Sequence, residues 1–206
     1  MFFDFHTHTL PEKDPVKAVV SSPFPPSGCK YWSIEAHPWN NYLHPDFAAA
    51  AAGAAAIGET GIDKVRGVET ALQLRRFHLC CQTAERLNKP IILHEVRAAA
   101  DCAAILRQYT IRAVLRHGWR TPKIDKLETA LQAGWFIGCS INTPESIWEY
   151  FRKYPESRKF MALETDDAPP GTLPILYAKA AEKLRITRDE LSGIMENNFN
   201  NFLGLK

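Results

Sequence analysis

Six side chains able to hold a metal ion recur along this chain, each where a short apolar run ends: His6 and His8 in FFDFHTH, Glu59 in AAIGETGID, His94 in PIILHEV, His117 in RAVLRH and Asp166 in FMALETDDAP. Short apolar runs bounded by turn residues read as buried strands. A metal-competent group at the end of each of five strands predicts a site at the C-terminal mouth of a parallel α/β barrel. His6 and His8 are two apart, so on an extended strand both imidazoles face the same way and reach one ion. The fifth and sixth strands, ending in His94 and His117, are neighbours, and the eighth, ending in Asp166, lies beside the first in a closed barrel. Two half-sites follow: His6, His8 and Asp166 around one ion, His94 and His117 around the other, with the two oxygens of Glu59 between them. Such a pair of cations clamps the attacking and leaving oxygens of a displacement and lowers the pKa of a water. Asp166 is then both ligand and candidate general base. Imidazole with carboxylate suits zinc, magnesium or manganese, and thiolate chemistry is not expected.

Eight strands are predicted to position these groups: Phe2–His6, Val16–Ser21, Tyr31–Ala36, Ala55–Glu59, Pro90–His94, Ala113–His117, Trp135–Ser140 and Phe160–Thr165. Helices are predicted over Pro45–Ala52, Val68–Asn88, Ala98–Tyr109, Pro122–Ala133, Pro144–Tyr154, Leu173–Leu184 and Arg188–Phe202. Thr187 opens the last of these with Glu190 three residues on, the pattern of a capping box. The connections Thr9–Pro15 and Ser21–Lys30 carry two and three prolines, which block a continuous helix. The expectation is one α/β domain over residues 1–206, a TIM-type (β/α)8 barrel with its early outer helices trimmed.

Bulk properties agree with an ordinary globular chain. Of 206 residues, 46% are apolar and 23% charged, with a net charge of +2, too balanced to demand nucleic acid. No run approaches a membrane span, and the opening Met-Phe-Phe-Asp-Phe lacks the form of a signal peptide. Five cysteines, two adjacent, do not make a disulfide framework, so a cytoplasmic protein with reduced thiols is expected.

The words DFHTHTL, EAHPW, AIGETGID, Gln73 and Phe77 before LNKPIILH, LRHGW, GWFIGCS, LETDDAP and NNFNNFLGL, running over nearly the whole chain, resemble the TatD-related metal-dependent hydrolases. The resemblance implies the same partition of ligands, two divalent ions, and hydrolysis of DNA that removes nucleotides from a 3′ end. It brings in His37, at the His-Pro word, as a group that hydrogen-bonds a phosphate or donates a proton to the leaving group, so Asp166, Glu59 and His37 form the expected catalytic set.

The chain departs from the family pattern at the mouth. Val96 stands where an arginine is usual after the fifth-strand histidine, and HGWRT follows His117 in place of the usual word. Arg97 and Arg120 are therefore candidate phosphate contacts from shifted positions, with Lys64 beside them and Trp119, or Trp39, as a stacking surface for bases. Glu164, two before Asp166, is read as support behind the ligands. Two other readings compete: an amidohydrolase-type enzyme acting on a small phosphoester or amide, and a metal-stabilised interaction module without turnover.

Overall fold

The computed structural model describes residues 1–11 and 16–205. Its strands are β1 (Phe2–Thr7), β2 (Val16–Ser22), β3 (Tyr31–Ala36), β4 (Ala56–Asp63), β5 (Ile91–Val96), β6 (Val114–Arg116), β7 (Phe136–Cys139) and β8 (Met161–Leu163). Seven α-helices occur among the described residues: α1 (Phe47–Gly53), α2 (Thr70–Leu87), α3 (Ala99–Leu106), α4 (Ile124–Gln132), α5 (Glu145–Lys153), α6 (Thr172–Leu184) and α7 (Arg188–Leu203). The strands follow one another in chain order through an eight-stranded sheet, and from β3 onward each strand is followed by helix, the topology of the TIM-type (β/α)8 class. No helix joins β2 to β3, as the three prolines there require. The first connection includes residues 12–15, which lie outside the described residues.

Contacts divide the chain into two compact units, Met1–Ala18 with His117–Lys206, and Val19–Arg116. In the first, β1 carries Phe3 and Phe5 inward onto α7. Phe5 meets Phe199 edge-on at 5.3 Å between ring centroids, and Phe3 meets it at 5.4 Å. Phe202 packs on Phe136 of β7 at 5.5 Å. The terminal NNFNNFL word is thus a packing word, and Asn198 within it donates to the carbonyls of Arg158 and Met161 at 2.7 Å each. Thr187 and Glu190 form the expected reciprocal capping box at the start of α7.

The second unit is built on β4 and β5. Helix α2 buries Gln73, Phe77, Cys80, Cys81 and Ala84, a three-and-four spacing that lays one helix face on the strands. Burying Phe77 completely contributes about 1.5–3 kcal/mol. Strands β4 and β5 approach closely at Gly61, where φ is +148° and a Cβ would fall 2.0 Å from the carbonyl oxygen of His94. Only glycine fits that approach. For this reason β4 runs on to Asp63, four residues beyond the end expected at Glu59.

Candidate metal centre

Within the first unit, the end of β1 and the segment after β8 are zipped together. The Asp166 amide donates to the carbonyl of His6 at 3.0 Å, the His8 amide donates to the carbonyl of Asp166 at 3.3 Å, and Thr7 pairs with Asp166 in an isolated parallel bridge. Asp4 reinforces this: its carboxylate accepts the Thr165 amide at 3.1 Å and the Thr165 hydroxyl at 2.5 Å. Burial pushes the Asp4 carboxyl up to about 7, against the lowering pull of the two Thr165 bonds. Asp166 itself sits at φ +55°, a conformation that aspartate tolerates better than most residues. Its Oδ1 lies 3.6 Å from His6 Nε2 and 3.8 Å from His8 Nε2. Those separations are long for hydrogen bonds. They are near the spacing of about 3.4 Å between two donors that each sit about 2.1 Å from one tetrahedral ion.

His117 joins this group, its ring 4.7 Å from that of His6. Behind it stands Glu164, with no solvent exposure. Its Oε1 accepts the Gly118 amide and lies 4.0 Å from His117 Nδ1, while Oε2 is buried with no hydrogen-bond partner among the described residues. Burial raises the Glu164 carboxyl above the usual range, opposed by the nearby His117 and His6. The carboxylate fits because residue 138 is glycine: a Cβ there would meet both Glu164 oxygens at 2.6 Å. Beside Asp166 opens a cleft of about 310 Å³ whose walls include Gly118, Arg120, Ser140 and Asn142.

Within the second unit, His37, Glu59 and His94 place one ligand atom each within 4.8 Å of one another. Glu59 Oε1 lies 3.3 Å from His37 Nε2 and in close contact with His94 Nδ1. His37 Nδ1 accepts the Trp39 amide at 3.1 Å, so in the neutral ring the proton is on Nε2, facing Glu59. The loop after His37 is clamped by Arg76, which donates from Nη1 to the carbonyl of Asn40 at 2.6 Å and from Nη2 to that of Asn41 at 2.5 Å. The other nitrogen of His94, Nε2, lies 3.3 Å from Asp63 Oδ2.

Asp63 is the residue that the sequence reading passed over. Burial would push its carboxyl up, but bonds from the Trp39 indole, the Val65 and Arg66 amides and His94 together hold it below the usual range. The alternation of β4 was the available signal: Glu59, Gly61 and Asp63 are each two apart, so all three share a face once the strand is allowed past Gly61.

The expected substrate contacts are placed unevenly. Lys64 is tied in an ion pair to Asp101. Arg97 is exposed at φ +52°, and Arg120 is exposed at the cleft. Trp119 corrects the expectation of a stacking surface: its ring is only 1% exposed and its indole nitrogen donates to the Thr121 carbonyl at 2.9 Å. A ring so buried has no open face for a base to meet. Trp39 is 37% exposed and remains available.

Imidazoles and carboxylates, with no thiolate, make both groups fit for a divalent cation. The family model for the TatD-related DNases matches residues 3–204. The chain belongs to that family. Over 61 residues it is 44% identical to the uncharacterised metal-dependent hydrolase YcfH of Escherichia coli K12, a match covering 29% of this TatD-family chain and 23% of that relative's length. Among solved structures, the TatD homologue YjjV of Escherichia coli K12 superposes with a TM-score of 0.78 at 22% identity, over 100% of this chain and 98% of that one. The phosphotriesterase homology protein of Escherichia coli superposes at 0.62 and 12% identity, over 91% and 75%. These likenesses show a shared (β/α)8 fold. Among the described residues, no helix is long and apolar enough to cross a membrane.

Proposed function

We propose that this chain is a divalent-metal-dependent hydrolase of phosphodiesters that removes nucleotides from a DNA 3′ end. The observation that carries the reading is the pair of imidazole–carboxylate groups, His6, His8 and Asp166 in one unit and His94 with Glu59 in the other, His37 standing beside Glu59 as the proton donor, in a chain of this family. The ligand set we assign is His6, His8, Glu59, His94, His117 and Asp166, for two ions. When bound, such ions polarise a phosphoryl oxygen and make water a stronger acid.

The chain's own groups do the rest. Asp166, half-buried at the edge of the cleft, takes the proton of the attacking water. The bonds from its amide to the His6 carbonyl and from the His8 amide to its carbonyl hold the Asp166 main chain beside the two histidines. His37, with Nδ1 occupied by the Trp39 amide, offers its Nε2 proton to a phosphate or leaving oxygen. Arg120 contributes a guanidinium fork suited to phosphate oxygens. Trp39, with the Arg66 guanidinium 3.8 Å from its ring centroid, offers the indole–guanidinium surface on which a base of a single strand stacks.

The second reading, a small phosphoester as substrate, is favoured by one observation: the cleft beside Asp166, at about 310 Å³, is at the lower end of ligand-pocket sizes. The test is hydrolysis of single-stranded DNA, labelled separately at each end, with magnesium, manganese or zinc. Shortening from the 3′ end, lost in Asp166→Asn, is expected. Turnover of a small phosphodiester with DNA left intact would replace DNA by the second reading. No turnover of either, by a protein that still binds metal, would leave the interaction module.

A further inference from the structure

Asp63 makes more contacts than a loop carboxylate at a strand end needs. It closes β4, and its backbone is gripped from α2 by Gln73, whose Oε1 accepts the Asp63 amide at 2.8 Å and whose Nε2 donates to the Asp63 carbonyl at 3.1 Å. Its Oδ1 accepts the amides of Val65 and Arg66 at 2.8 and 2.9 Å. That leaves Oδ2 fixed in space, with the Trp39 indole N–H donating to it at 2.6 Å and His94 Nε2 at 3.3 Å. Arg66 then covers the Trp39 ring. His94 therefore has a carboxylate on each ring nitrogen: Glu59, itself a candidate ligand, at Nδ1, and Asp63, turned away from that group, at Nε2.

We propose that Asp63 is the positioning residue of this half-site: it holds the His94 proton on Nε2, so that Nδ1 is the nitrogen presented with Glu59 to a divalent cation. The inference rests on the metal-dependent reading above and names a residue outside its ligand set. A ligating histidine is oriented by what its other nitrogen meets, and loss of such a partner commonly weakens metal binding by about 10- to 100-fold. Here the partner is itself held by three donors besides His94 and by the Gln73 clamp, so it cannot swing to become a ligand. Trp39 extends the arrangement outward. The Trp39 ring that carries the Arg66 guanidinium also sets the Asp63 oxygen that orients His94.

The experiment titrates zinc chloride into metal-free wild type, Asp63→Asn and Trp39→Phe by calorimetry, with nitrogen NMR of the His94 ring in the zinc-loaded proteins. The expected result is a single Nε2–H form of His94 in the wild type. Asp63→Asn is expected to weaken one class of zinc site by about 10- to 100-fold, leave the other unchanged and mix the two ring forms. Trp39→Phe should act in the same direction by a few-fold. Should Asp63→Asn not fold, as circular dichroism would show, Trp39→Phe decides: unchanged zinc affinity and an unchanged His94 ring overturn the proposal. Wild type that takes up zinc while both variants titrate identically to it overturns this inference alone. Wild type that binds no zinc overturns it together with the hydrolase reading.

Discussion

Glu164 in one unit and Asp63 in the other each stand behind a histidine, and their surroundings are opposite. Asp63 accepts hydrogen bonds from the Trp39 indole and two backbone amides as well as facing His94, and it is held in its charged form. Glu164 is entirely buried, takes one amide on Oε1, and has an Oε2 without a hydrogen-bond partner among the described residues. A buried carboxylate oxygen with nothing on it costs free energy unless a proton or a cation supplies what is missing. One group is organised by hydrogen bonds already present, whereas the other has a polar atom whose need is met by protonation or by positive charge nearby. The glycines differ in the same sense. Gly61 in the second unit makes room for backbone, the His94 carbonyl, and Gly138 in the first makes room for a side chain, the Glu164 carboxylate.

These differences translate into graded effects. The largest is expected from Asp166→Asn, which removes the proposed base from the first unit: kcat should fall by about 10²- to 10⁴-fold with the melting curve retained, measured on the labelled DNA. Gly61→Ala comes next. It adds a Cβ 2.0 Å from backbone at a positive φ, combining conformational strain with overpacking for a total of about 3–5 kcal/mol in urea unfolding. Gly138→Ala should cost less, about 1–3 kcal/mol, because the neighbour that must move is a side chain. Equal losses at the two glycines would undo the contrast between the units. Thr187→Ala removes one half of the capping box under the first unit and should cost about 1 kcal/mol, with wild-type metal uptake.

The smallest effect is one in which the units behave alike. Burial pushes the thiols of Cys80 and Cys102 up to about 12 and raises those of Cys81 and Cys139 as well. The thiolate is the reactive form, and a thiol of pKa 12 is ionised to about one part in ten thousand at pH 8. A thiol reagent at that pH should therefore find only the half-buried Cys29 in the folded protein, and all five after unfolding. Rapid reaction of three or more without denaturant would show that the packing of these segments is wrong.

Much of this was readable from residue types and spacing. The eight strands and seven helices fall where the apolar runs and prolines put them, since a buried strand and an amphipathic helix write different periods into a sequence. The boundaries were less legible. Strand β4 was expected to end at Glu59 with its apolar run, but it passes through Gly61, which permits the close approach of β5, and reaches Asp63. That misreading hid Asp63. Strand β8 is shorter than its apolar run suggests, ending at Leu163, because residues 164–166 are drawn into bonds with Cys139 and β1. The two tryptophans show a second limit. Trp39 and Trp119 both follow strand-end histidines, and nothing local says that one ring is exposed and the other buried. Exposure depends on what packs from elsewhere in the chain.

The measurement that bears most directly on the two-group account is the metal content of the purified protein after reconstitution with zinc. It compares wild type, the double variant His6→Ala with His8→Ala, and His94→Ala. Two ions per wild-type chain and one in each variant are expected, the survivor belonging to the group left intact. Wild type that retains no zinc, or that loses none in either variant, would contradict this expectation.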